Sequence, residues 1–110
     1  MITAKEIDEA YRALANAQRF MAVAGSVAVE AKTDYDRKLK AGLADGTIAG
    51  KNADLREAAA AEVLAVEVMD LDAARENERQ ARLALDLAQT EVSRVQALLR
   101  LRETTRRRRR

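Results

Sequence analysis

From Asn52 to Glu103 the chain runs for about fifty residues without a proline or a glycine. A stretch of that length has one economical fold, a helix, because nothing in it ends the run of backbone hydrogen bonds. Within it, apolar residues recur at alternating steps of three and four: Ala81, Leu85, Ala88, Val92, Val95 and Leu99. That spacing keeps one stripe facing a partner helix. A second row, Leu83, Leu87, Leu98 and Leu101, is expected to widen the buried face beyond a narrow two-stranded seam.

The partner lies upstream. Thr3-Ala4-Lys5-Glu6 has the form of a capping box, so a first helix should begin near Ala4. Its seam reads Ile7, Ala10, Leu14, Ala17, Met21, Ala24, Ala28, Ala31 and Tyr35. The recurring alanines let two backbones approach more closely than leucine would. Gly42 with Leu43 is read as the end of this helix, and three of the four glycines fall between Gly42 and Lys51 as a loop. Asn52 then caps the second helix, with Asp54 near its positive end.

The expected architecture is therefore all-α: an antiparallel helical hairpin, coiled-coil-like, with a long second helix. It comprises one domain over residues 1–105, with a helix at about 4–41, a loop at 42–52 and a helix at about 53–103. Arg75 to Gln80 is polar throughout; a continuous helix laced by Glu76/Arg79 and Glu78/Arg82 pairs is the simpler reading, and a bend there the competing one.

Phe20 to Val29 is apolar on nearly all sides but too short for a membrane span. The acidic residues Glu6, Asp8 and Glu9 argue against a signal peptide. A hairpin covers only one face of such a segment, so the other needs a third helix, a second copy or a foreign protein. Phe20, Met21, Val23 and Val27 on the first helix, and Leu85, Val92, Val95 and Leu99 on the second, are the expected oligomer or partner interface.

The formal net charge is +2, but residues 1–105 alone carry fifteen basic against eighteen acidic residues. The basicity sits in Arg106, Arg107, Arg108, Arg109 and Arg110. Five adjacent guanidiniums repel one another, so residues 106–110 are expected to be a disordered tail when unbound. Such a tail could neutralise nucleic-acid phosphates without sequence preference, hold an acidic protein surface (including another copy), or serve only solubility.

Histidine and cysteine are absent, which removes the commonest general base, the commonest zinc ligand and thiol chemistry. Gly46-Thr47-Ile48-Ala49-Gly50-Lys51-Asn52 departs from a phosphate-binding loop: three residues separate the glycines instead of four, and Asn52 replaces the hydroxyl residue. The carboxylates Glu62, Glu67, Asp70, Asp72, Glu76 and Glu78 read as a solvated helix face. No catalytic residue, metal site or cofactor is expected, and the chain is not expected to be an enzyme.

Tyr35-Asp36-Arg37, the run Gly50-Lys51-Asn52-Ala53-Asp54-Leu55-Arg56-Glu57-Ala58, Glu91-Val92, and Val95 to Arg100 resemble a loose group of small bacteriophage proteins. Members carry a Tyr-rich first helix, a turn of this Gly-Lys-Asn-Ala form and a second helix ending in a Leu/Arg segment. Here that ending is altered to Val95-Gln96. The resemblance spans roughly residues 34–101. Some members accompany phage recombination or replication genes. It implies a phage or prophage source and a small accessory protein, and supplies no site residues. Joined to the reading of the residues, the expectation is a non-enzymatic accessory protein in the cytoplasm of a bacterial host, self-associating and binding a protein or nucleic-acid partner, with no membrane role. A virion or scaffolding-type structural protein and a small inhibitor of a host enzyme are the alternatives.

Overall fold

The computed structural model describes residues 1–109 and is all-α, a helical hairpin of three helices: α1 (Ala4–Asp45), α2 (Ala53–Val63) and α3 (Ala65–Arg108). No strand occurs among the described residues.

Helix α1 starts where the capping residues place it. The Glu6 N–H donates to Thr3 Oγ1 at 3.1 Å, satisfying one of the free amides of the first turn. Ile2 precedes the cap and packs in one cluster with Ile7, four positions into the helix, which is a hydrophobic staple. Ile2 lies outside the helical period, and its only mark in the sequence is its place just before the Thr3 cap.

The far end of α1 corrects the expected boundary. Gly42 does not end the helix, which continues to Asp45. The left-handed residue is Gly46, at φ +82°, a conformation a side chain would strain. The Asp45 carboxylate accepts from the Thr47 N–H at 2.8 Å and from its hydroxyl at 2.6 Å. Those bonds hold the Asp45 carboxyl below the usual carboxylate range. Gly42 matters for a different reason. Its missing side chain leaves room for Ile48, whose N–H donates to the Gly42 carbonyl at 2.9 Å.

Asn52 caps α2, its side-chain oxygen accepting from the Leu55 N–H at 2.9 Å. The expected single second helix is interrupted at Leu64, where φ −103° and ψ 29° depart from helical values. Hydrogen bonds of the i→i−4 type persist on both sides, from Leu64 to Ala60 and from Val68 to Leu64. No proline or glycine is involved. The irregular residue is the one whose side chain is buried with Ile48 and Ala60, with Tyr35 and Leu39 against them. By contrast α3 passes through Arg75–Gln80 without a break, and the expected Glu76–Arg79 pair forms, Arg79 Nε lying 2.9 Å from Glu76 Oε2.

The chain divides into two compact units. Unit 1 joins Met1–Ala22 to the chain from Gln80 onward. Here α1 and α3 run antiparallel: Ala10 packs with Val92 and Val95, and Gln96 Nε2 donates to the Tyr11 hydroxyl at 3.1 Å. Unit 2 is Val23–Arg79. It is tied by the Lys38 ammonium, 2.9 Å from Glu67 on α3 and 3.3 Å from Asp34 on α1. That cation holds both carboxyls below their ordinary range, and they raise the lysine in return. In both units most of the buried seam residues are alanines (Ala10, Ala17, Ala24, Ala28, Ala74, Ala81 and Ala88), joined by Leu71, Val92 and Val95, while Leu14, Met21 and Leu85 flank them half-buried. Small side chains at the contact bring the backbones together, and the larger ones close over the sides.

Candidate interaction surfaces

The apolar residues expected at an interface separate into two groups. Val92 and Val95 are buried in the core of unit 1, and Met21, Leu85 and Leu99 are half-buried along the internal seams. These five are covered by the chain itself. Phe20, Val23 and Val27 are exposed.

The second row, expected to widen the buried face, is also uncovered: Leu83, Leu87, Leu98 and Leu101 all face solvent. In unit 1, Phe20 and Leu87 border a shallow groove floored by Ala13, Ala17, Ala84 and Ala88. In unit 2, Val23, Val27 and Val29 on α1 and Val66 and Met69 on α3 are exposed. Val66 and Met69 stand off the seam period, so periodicity does not point to them. Single exposed apolar residues are ordinary; each unit here carries several.

Charge is divided unevenly. Unit 2 holds twelve acidic and eight basic residues, a net −4. Unit 1 holds six acidic and twelve basic residues, a net +6. A groove on unit 2 is lined by Val27, Ala31, Ala73 and Ala74 together with Glu30, Asp34, Glu67 and Asp70. Lys38 bridges Asp34 and Glu67, and Arg37 also pairs with Asp34 at 2.6 Å. Glu30 and Asp70 make no ion pair among the described residues and stay exposed.

The C-terminal arginines differ from expectation as well. Helix α3 continues to Arg108 where disorder from residue 106 was expected, and Arg110 lies outside the described residues. Two local effects favour the helix. Arg107 pairs with Glu103 one turn back at 2.8 Å. Cations are also favoured at the negative end of a helix. Arg102, Arg106 and Arg109 line one groove with Leu98, Leu101, Met1 and Ile2. The tip therefore combines an apolar floor with a cationic rim.

The glycine loop has no phosphate-binding geometry. It follows helix α1, the Asn52 oxygen is occupied by the Leu55 N–H, and Gly50 lies close against Leu55 and Arg56. Among the described residues no group of three or more acidic side chains is arranged to hold a metal ion, and no helix is long and apolar enough to cross a membrane. Comparison with protein-family models, with curated proteins and with solved structures finds no match for this chain.

Proposed function

We propose that this chain is a non-enzymatic accessory protein that acts by docking, associating with itself and with a macromolecular partner through its uncovered apolar face. The observation that carries this is the set of large apolar residues left exposed on each unit, Phe20 and Leu87 in one and Val23, Val27 and Met69 in the other. Covering such residues stabilises an assembly by about 25 cal/mol per Å² of apolar surface removed from water. The resemblance to small phage proteins supports a setting in phage replication, recombination or assembly.

Phe20→Glu tests the reading. The side chain is half exposed, so the variant should fold, with an unchanged circular dichroism spectrum, while its molar mass by light scattering drops below that of the wild type. A wild-type mass that survives the substitution would remove Phe20 from any interface.

A second reading is supported by the tip of α3. Between Arg100 and Arg110 seven arginines accompany one acid, Glu103, which suits a polyanion such as duplex nucleic acid. Deleting Arg106–Arg110 removes five of these charges. If they neutralise phosphates, the salt dependence of duplex binding should flatten by about 0.9 in log–log slope for each phosphate no longer neutralised. An unchanged slope in fluorescence anisotropy titrations would sink this reading.

A further inference from the structure

We propose that the basic tip groove of unit 1 seats on the acidic groove of unit 2 of a second copy of this chain. This rests on the self-association proposed above and adds to its apolar contact a pair of charged surfaces that meet.

The two grooves are complementary in both respects that govern docking. Each has an apolar floor, Leu98 and Leu101 at the tip and Val27 and Ala31 on unit 2. Their rims carry opposite charge. Arg102, Arg106 and Arg109 border the tip, and none of them is in an ion pair among the described residues. Glu30 and Asp70 border the other groove, equally unpaired, while Lys38 and Arg37 between them already hold the two carboxylates beside them. The free carboxylates are thus those an incoming guanidinium could reach without displacing an internal cation. Arginine suits this pairing because its planar fork can hold a carboxylate through two parallel hydrogen bonds.

Net charge selects the orientation. Stacking like units sets +6 against +6 and −4 against −4, whereas the crossed arrangement sets +6 against −4. Charge of opposite sign guides encounter and register, and the apolar floors then supply the area removed from water.

A charge exchange tests this on the full chain. One variant carries Glu30→Lys with Asp70→Lys, the other Arg102→Glu with Arg106→Glu and Arg109→Glu. All five positions are exposed, and circular dichroism confirms that each variant is folded. Alone, each should lose self-association by at least about tenfold in dissociation constant, roughly the effect of 1.4 kcal/mol. Mixed in equal amounts they should recover a mixed assembly with a dissociation constant within about tenfold of the wild type's, because each now offers the other an opposite rim. Variants that keep the wild-type mass when alone would overturn the crossed seating and leave self-association standing. Folded variants that fail to associate on mixing would overturn it too. A wild-type chain that stays monomeric at about 100 μM, weaker than a standard interface allows, would remove self-association itself.

Discussion

Val95→Asp should abolish the folded pairing of unit 1. The Val95 side chain is 0% exposed and lies among Ile2, Ala10 and Val92, with Ile7, Leu14 and Leu99 around them. No hydrogen-bond donor from a side chain lies within that set, so a carboxylate there would be ionised without a partner or forced to hold its proton. Either route costs several kcal/mol. With few bulky residues in the core, little stability is available to absorb the loss, and a drop of about 3–5 kcal/mol corresponds to more than about 12 °C in melting temperature. Leu87→Asp is the control. It places the same charge on the same helix, in the same unit, on a side chain 63% exposed. Measured in dilute solution by thermal circular dichroism, Leu87→Asp should melt close to the wild type while Val95→Asp melts far below it or not cooperatively at all. Equal effects would mean that Leu87, too, is buried within the chain.

That contrast shows where the sequence is legible and where it is not. Val95 and Leu87 are both apolar residues of one helix. The steps of three and four correctly place Val92 and Val95 on the seam with Ala81 and Ala88. Period alone, however, reports that a stripe is apolar; it does not report whether the cover for a second stripe is carried by the same chain. Leu83, Leu87, Leu98 and Leu101 are expected to be buried and are exposed for that reason. The same distinction divides the candidate interface: Phe20, Val23 and Val27 are open, and Val92 and Val95 are closed.

Local chemistry is more legible than tertiary effects. Thr3 and Asn52 cap their helices because a short polar side chain before a helical run has one favourable use, bonding the free amides of the first turn. The interruption at Leu64 has no such signature, since Val63-Leu64-Ala65 contains no breaker. It coincides with burial against Ile48, a residue sixteen positions earlier that the helical period does not index. Continuation of α3 through the arginines escapes a reading that weighs like-charge repulsion without the Glu103–Arg107 pair or the charge preference of a helix end.

Gly42→Ala should change sign with its surroundings. Two glycines four positions apart look equivalent in sequence, yet Gly46 supplies a left-handed turn and Gly42 is helical. At a helical position Ala is ordinarily favoured over Gly by about 0.5–1 kcal/mol. Here an added Cβ would meet Ile48 Cδ1 at 2.6 Å and Cγ1 at 2.8 Å, both too close. Ile48 is only 2% exposed and packed with Ala60 and Leu64, so it has little room to retreat. Overpacking of this kind typically costs about 1–3 kcal/mol, enough to outweigh the helical gain. Ile48→Ala alone should be more damaging, by about 2–5 kcal/mol, because it empties the centre of the cluster that joins the loop to α1 and α2. In that background the clashing atoms are gone, and only the Cβ of residue 48 remains, at 3.5 Å, an ordinary contact. Gly42→Ala should therefore destabilise the wild type and be neutral or stabilising in the Ile48→Ala chain. Denaturant unfolding of the four proteins measures this directly as a coupling energy. Additive effects would show that Gly42 is not held clear for Ile48, and that the loop closes on some other contact.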